Sequence, residues 1–391
     1  MNKTKRDSMY ISRNITYHGA IIRYLQKINN DNSWNNILIV TKKSLVKKLG
    51  VLERIKKCFS TRKIYVFDKV MPNPKIEMIE QGIKFAKENN IKLVVGLGGG
   101  SVIDTAKTIA LFVNNPGNLL GYFLGRLIIK NKAIVKIAIP TTAGSGSEAT
   151  RYVVINYFRD GKIFKKPLEH KFLMPDFVIL DAALLLSLNR YRTATIGLDV
   201  LSHAIESYWS IHSNKKSDEY AQESIKIVIN YLEKSCNHLN NLKYREKMLL
   251  ASNLAGRAIN ITKTTIVHAV SYPITNYFNI PHGLACGLIL PSFLKFNAEI
   301  TRGTCNDKRG VKFVKSKITN IYKFLGVNDI NHACQKLNSL MENIGLKLRL
   351  RENGIDNLKL IIDQGFMPER AKNNPRNVNR KDLKNILKDI Y

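Results

Sequence analysis

The sequence predicts an α/β domain over residues 1–188, built on a doubly wound parallel sheet, followed by an all-helical domain over 189–391. Three observations carry this reading. Short β-rich runs alternate with helical stretches in the first half. The strand signal fades after about residue 188, and long amphipathic stretches fill the remainder.

Taken in order, NILIVTKK (36–43), KIYVFDKV (63–70), KLVVGLGGG (92–100) and VKIAIPTT (135–142) read as strands. IEMIEQGIKFAKENN (76–90) and SVIDTAKTIALFV (101–113) lie between them, with apolar residues at helical spacing. Alternation of this kind needs crossover helices, and crossovers make neighbouring strands parallel. The boundary falls near PDFVILDAALLLSLNR (175–190). Beyond it, SDEYAQESIKIVINYLEKSCNHL (217–239) and KRGVKFVKSKITNIYKFLGV (308–327) read as long amphipathic helices. No repeat, low-complexity tract or long Pro/Gly/Ser linker intervenes, so the two parts are expected to pack tightly.

A chain of 391 residues with 45% hydrophobic and 24% charged residues has the composition of a globular protein. The start, MNKTKRDSMYISRN, is basic with no apolar run behind it, so no secretory leader is expected. No window approaches the roughly 18 uninterrupted apolar residues of a membrane span. The five cysteines (Cys58, Cys236, Cys286, Cys305, Cys334) are scattered and form no CxxC, which predicts reduced thiols and a cytoplasmic setting, without a zinc ribbon or disulfide framework. The formal charge of +32 leaves two readings open. It fits an anionic partner, and it fits compositional drift in a chain rich in Lys, Asn and Ile throughout. No helix-turn-helix, RRM-like signature or zinc finger is present, and the lysines form no single stripe, which speaks against nucleic acid.

In LVVGLGGGSVIDTAK a buried strand ends in Gly98-Gly99-Gly100-Ser101 and a helix begins at once. Glycines let the backbone approach a phosphate, and the helix N-terminus offers free N–H groups to its charge. The pattern is neither GxGxxG nor GxxxxGK[ST]. A second loop, PTTAGSGSEAT (140–150), follows another strand and supplies the hydroxyls of Thr141, Thr142 and Ser145. Two such loops at strand ends of one sheet suggest a dinucleotide crevice more strongly than either alone.

A lone histidine on an apolar face is usually a satisfied core residue. In GLDVLSHAIESYWS (197–210), however, Asp199 and His203 sit four apart in a helical stretch, which stacks them on one face. His268 and His282, the latter in Pro-His-Gly, complete one carboxylate and three imidazoles. That donor set, which contains no thiolate, suits Fe²⁺ or Zn²⁺.

GGGSxxDxxK, TTxGSGSE, the DxxxH helix and the H-x13-H ending in PHG together resemble the iron-containing (group III) alcohol dehydrogenase family over nearly the whole chain. The resemblance implies metal ligands Asp199, His203, His268 and His282. It implies cofactor contacts from Asn73, Gly98, Gly99, Gly100, Ser101, Asp104, Thr141, Thr142 and Ser145, and hydride transfer between NADH or NADPH and an alcohol/aldehyde carbon. Dimers or larger homo-oligomers are implied as well. Two departures stand out. Tyr272 replaces the second His of the usual HxxxH, so a phenol, the weaker acid, takes the place of a proton-transfer imidazole. Lys42, followed by Lys43, replaces the Asp that ends the second strand in NAD-specific members, and a basic pair accommodates a 2′-phosphate.

HAVSYPIT…PHG, PLEHKFLMPD (167–176) and MPERAKNNPR (367–376) narrow the resemblance to the phosphonoacetaldehyde reductases of that family, which make 2-hydroxyethylphosphonate. Such an anionic aldehyde needs cationic partners, and Arg151 is the first candidate, with Lys165, Lys166 and His170 behind it. The rivals are the same chemistry on a neutral aldehyde or diol (lactaldehyde, butanal, 1,3-propanediol), a sugar-phosphate or glycerol dehydrogenase, and an inactive nucleic-acid-binding protein on this scaffold.

Overall fold

Continuous Val/Ile/Leu runs are the mark of strands covered on both faces, and here they build a parallel sheet. The computed structural model describes residues 13–16, 25–26, 34–44, 50–159 and 162–391. Residues 1–12, most of the stretch read for a leader, lie outside the described residues. By its internal packing the chain divides into two units, one of residues 1–142 and 147–187, the other of 143–146 and 188–391.

The first unit carries β1 (Arg13–Thr16), β2 (Asn36–Val40), β3 (Lys63–Phe67), β4 (Leu93–Gly98), β5 (Val135–Pro140), β6 (Tyr152–Arg159), β7 (Lys162–Glu169) and β8 (Phe177–Leu180). Its helices are α1 (Val51–Cys58), α2 (Ile76–Glu88), α3 (Gly100–Phe112) and the short α4 (Leu119–Phe123). Six strands pair in parallel in the order β1-β8-β5-β4-β2-β3. After β3 the chain crosses back to the other side of β2 and then builds outward through β4 and β5. The carboxyl ends of β2 and β4 therefore flank the point where strand order reverses, the position at which open α/β sheets bind ligands. β2 and β4 are buried along nearly their whole length. α2 presents Ile76, Ile79, Ile83 and Ala86 to the core at helical spacing, whereas α3 is buried from Val102 to Phe112, with the polar Asp104, Thr105, Lys107 and Thr108 among the covered residues.

β6 and β7 form a separate antiparallel hairpin that the strand reading above did not include. Its sequence signal is Asp160-Gly161 between two alternating runs, a favoured hairpin dipeptide.

The second unit is helical: α5 (Arg190–Trp209), α6 (Lys215–Asn237), α7 (Leu242–Thr262), α8 (Ile266–Phe278), α9 (His282–Ala298), α10 (Val311–Leu325), α11 (Ile330–Asn343), α12 (Leu358–Gly365), α13 (Pro368–Ala371) and α14 (Arg380–Asp389). α5 starts where Asn189 accepts a hydrogen bond from the Arg192 N–H, and α6 starts with a capping box between Asn214 and Ser217. α5 is the central helix, packed on by α6, α7 and α9. α8 ends at Asn279 in the left-handed conformation, and Pro281 then admits α9 with His282 as its first residue. Among the described residues no helix is long and apolar enough to cross a membrane.

Candidate metal centre and nucleotide loops

Three helices of the second unit bring donors together. Asp199 projects from α5, His268 from α8 and His282 from the first turn of α9. The Nε2 atoms of His268 and His282 lie 3.6 and 3.9 Å from Asp199 Oδ1. Both rings are anchored at the opposite nitrogen. His268 Nδ1 is hydrogen-bonded to the fully buried Glu206 carboxylate, and His282 Nδ1 to Ser271 Oγ at 3.2 Å. Glu206 is fixed in turn by the Thr265 N–H at 2.9 Å and the Thr265 hydroxyl. A carboxylate behind an imidazole sets its tautomer and leaves Nε2 as the outward lone pair.

Asp199 Oδ1, His268 Nε2 and His203 Nδ1 are buried without a hydrogen-bond partner. Buried polar atoms are almost always paired, so facing orphaned acceptors call for a cation. Burial alone would push the Asp199 carboxyl up, but the His203, His282 and His268 imidazoles outweigh it and hold the group well below the usual carboxylate range. Donor atoms of Asp199, His268, His282 and Cys286 all lie within 4.8 Å of one another. The residues present therefore fit a divalent transition-metal ion.

Of the four ligands expected from the sequence, the structure gathers three. His203 stands beside that cluster with its ring stacked on His268, centroids 4.4 Å apart and planes 25° apart. Burial, chiefly, pushes its pKa down to about 4, so the ring is neutral. Tyr272 is buried and stacks on His282, centroids 5.7 Å apart, at the edge of the centre. Glu206 and Cys286 escaped the sequence reading, though both leave a signal. Glu206 follows Asp199 by seven and His203 by three, on one helical face, and Cys286 follows His282 by four.

In the first unit the two polar loops are neighbours because β4 and β5 pair, with Gly98 opposite Pro140. The Thr141 N–H donates to the Gly98 carbonyl at 3.0 Å. A Cβ on Gly98 would meet Val102 at 2.6 Å, so α3 follows β4 this closely only because the residue is glycine. Gly99 is the N-cap of α3, with no side-chain cap, and Gly100 and Ser101 open its first turn. Thr142 flanks Gly99, while Ser145 belongs to the 143–146 segment of the helical unit. Asp104 faces inward: its Oδ1 accepts from the Ser147 hydroxyl and its Oδ2 from the Val154 N–H at 2.9 Å. The buried Lys107 ammonium, lowered to about 8 chiefly by burial, donates to the Ser147 carbonyl at 2.9 Å and to the Tyr152 carbonyl. Asp104 and Lys107 thus pin the segment after the second loop to α3.

Asn73 sits in the turn after β3 with φ 53°, a conformation asparagine tolerates well. Lys42 and Lys43, past the end of β2, line a shallow cleft with Asp68 and Lys69 from the end of β3. Arg151 stands before β6, with its Nε and Nη2 2.9 and 2.8 Å from Glu169 Oε1. His170 accepts from the Phe172 N–H and packs on the Phe172 ring, a local structural role.

The family description "Iron-containing alcohol dehydrogenase" matches residues 12–182, and "Fe-containing alcohol dehydrogenase family, C-terminal" matches 193–391. The chain is 30% identical over 334 residues to 1-propanol dehydrogenase PduQ of Salmonella typhimurium, covering 84% of this chain and 85% of that protein. It is 28% identical over 379 residues to alcohol dehydrogenase 4 of Saccharomyces cerevisiae, covering 95% of each. Among solved structures, the sulfoacetaldehyde reductase of Bifidobacterium kashiwanohense in complex with NAD+ superposes with a TM-score of 0.86 at 28% identity, covering 98% of this chain and 97% of that one. The α/β and helical units, the donors converging on Asp199 and the matches over both halves lead to one conclusion: the chain belongs to the iron-containing alcohol dehydrogenase family, oxidoreductases that work with iron and NAD(H).

Proposed function

We propose that the protein is a metal-dependent, NAD(P)H-linked aldehyde reductase whose preferred substrate is a short anionic aldehyde, phosphonoacetaldehyde, reduced to 2-hydroxyethylphosphonate. The observation that carries the reaction class is the convergence of His268 Nε2 and His282 Nε2 on the orphaned Asp199 Oδ1. When bound there, an Fe²⁺ or Zn²⁺ ion supplies Lewis acidity that stabilises the negative charge growing on the carbonyl oxygen. The chain's own residues do the rest. Glu206 and Ser271 hold the two imidazoles in the ligating tautomer. Tyr272, stacked on His282, is the group assigned to deliver the proton from its Oη to the product oxygen. One aldehyde, one NAD(P)H and one proton give one alcohol and one NAD(P)⁺.

The uncapped N-terminus of α3 at the reversal of strand order supports a pyrophosphate there. Lys42, Lys43 and Lys69 around one cleft support a 2′-phosphate and hence NADPH, with Asp68 opposing it. For the substrate, the likeness to a sulfoacetaldehyde reductase, itself named for an anionic aldehyde, supports an anion. Arg151 is the proposed partner of that anion. A second reading, a neutral aldehyde, is favoured by one observation: Arg151 already has Glu169 as counter-ion. A turnover panel of phosphonoacetaldehyde, butanal and lactaldehyde with NADH and NADPH separates the two. The anionic reading expects the highest kcat/KM for phosphonoacetaldehyde, and an Arg151→Ala loss of roughly 2–4 kcal/mol confined to that substrate. Faster turnover of butanal would install the neutral reading, and no aldehyde-dependent NAD(P)H oxidation at all would end both.

A further inference from the structure

The stretch MPERAKNNPR (367–376) takes no part in the chemistry described so far, yet Asn373 and Asn374 within it reach the ends of the three helices that carry the donors. Asn373 is buried just past α13. Its carbonyl accepts from the Ile211 N–H at 3.2 Å and its Oδ1 lies 3.1 Å from His212 Nε2, both just beyond the C-terminal end of α5. Its Nδ2 donates at 3.1 Å to the carbonyl of Thr264, in the turn that leads into α8. A carbonyl only accepts, so this bond fixes which way the amide points and makes His212 Nε2 the donor to Oδ1. Asn374 is fully buried, and its Nδ2 donates at 2.8 Å to Asn297 Oδ1 in the last turn of α9, with Asn297 Nδ2 returning a bond at 3.3 Å. α5 carries Asp199, His203 and Glu206, α8 carries His268 and α9 carries His282.

The turn that Asn373 grips is strained. Lys263, between α7 and α8, has φ 62° and ψ 175°, a combination nearly reserved for glycine. Such a conformation persists only where the surrounding structure over-determines it. On one side the Thr262 hydroxyl donates to Ser207 Oγ at 2.8 Å, and the Thr262 carbonyl accepts from Ser210 Oγ at 3.2 Å. On the other the Thr264 carbonyl is held by Asn373 and, at 3.4 Å, by Arg370 Nη1, while Trp209 Nε1 donates to Thr265 Oγ1 at 3.1 Å. Thr265 is the residue whose N–H and hydroxyl fix Glu206, and Glu206 fixes His268 Nδ1. A continuous line of bonded groups thus runs from Asn373 through Thr264, Thr265 and Glu206 to His268.

We infer that Asn373, seated by its neighbour Asn374, is a positioning residue of the metal centre: it holds the turn at Lys263 in its strained form, so that Thr265 keeps Glu206 behind His268. The inference rests on the metal-centre reading above. Without the Asn373 amide the turn relaxes at Lys263, Thr265 turns away from Glu206, and His268 loses the carboxylate that orients its ring.

The test reads Zn²⁺ affinity, not turnover, by competition between the full-length protein and a chromophoric chelator, on samples whose far-ultraviolet circular dichroism matches wild type. Asn373→Ala is expected to bind Zn²⁺ about tenfold more weakly, the lower end of what losing a group behind a ligand costs. Adding Lys263→Gly to that variant lets the turn keep its shape without strain, and is expected to recover about threefold or more of the loss. An asparagine that serves only the fold predicts no such recovery, because Lys263→Gly replaces none of the missing hydrogen bonds. Where Asn373→Ala does not fold, Arg370→Ala decides, since that side chain is only partly buried; it is expected to weaken Zn²⁺ binding about threefold. Wild-type affinity in the deciding variant overturns the inference, and so does a loss in Asn373→Ala that Lys263→Gly leaves untouched; in both cases a wild type that binds Zn²⁺ leaves the metal-dependent reductase standing. A wild type that takes up no divalent metal overturns the metal-centre reading itself, and the inference with it.

Discussion

Replacing Gly283 with alanine tests whether the metal centre depends on how closely α9 crosses α5. A Cβ built on Gly283 would lie 1.9 Å from the Thr195 carbonyl oxygen, 2.8 Å from Asp199 Cβ and 2.9 Å from Asp199 N. The backbone atoms cannot swing aside as a flexible side chain would. Reaching ordinary contact at 3.4 Å requires α9 to retreat from α5 by about 1.5 Å. His282 is the adjacent residue, so its Nε2, now 3.9 Å from Asp199 Oδ1, moves away with the helix. Metal sites tolerate ligand displacements of only about 0.2 Å, so affinity should fall at least ~100-fold, or about 2.7 kcal/mol. Global stability should fall by no more than a similar amount. Overpacking costs about 1–3 kcal/mol, and the better helix propensity of alanine offsets up to about 1 kcal/mol of that. Competition with a chromophoric chelator measures the affinity, and urea unfolding of the metal-free protein measures the fold. A Gly283→Ala protein that holds zinc as tightly as wild type would refute the dependence on this helix crossing.

Three further outcomes are expected. Glu206→Gln should weaken metal binding by about 10–100-fold through loss of the carboxylate behind His268, with little change in unfolding free energy; unchanged affinity would remove Glu206 from the centre. Lys107→Ala leaves Asp104 and two carbonyls stranded in the α/β unit and should cost about 3–5 kcal/mol in denaturant unfolding, whereas a loss below about 1 kcal/mol would mean water replaces the ammonium. Lys42→Asp should raise the KM for NADPH and leave that for NADH nearly unchanged; a parallel change in both would show that the residue shapes the cleft without reading the 2′-phosphate.

Local pattern carried much of this protein. The runs at 36–43, 63–70, 92–100 and 135–142 became β2 to β5, and the stretches read as helical became α2, α3, α6 and α10, because side-chain period and glycine placement act within one element. Asp199, His203, His268 and His282 could be named as candidate donors from residue type and, for the first two, from their spacing along one helix. The hairpin of β6 and β7 was missed although the run YVVINYF (152–158) followed by Asp160-Gly161 announced it.

What only the tertiary structure decided is which groups meet. Strand order, and with it the reversal between β2 and β4, depends on the path each crossover takes over the sheet. The pairing of Arg151 with Glu169 follows from the register of a hairpin that joins residues 18 apart. His203 has the i, i+4 spacing that places it on the face of Asp199, yet the packing of α8 stacks His268 against it and turns the two rings nearly parallel. Cys286 enters the donor group because Gly283 lets α9 approach α5 at backbone distance. Spacing along a helix fixes the face a side chain leaves from; the distance and angle between helices fix what it meets, and those are set by packing among residues far apart in the chain.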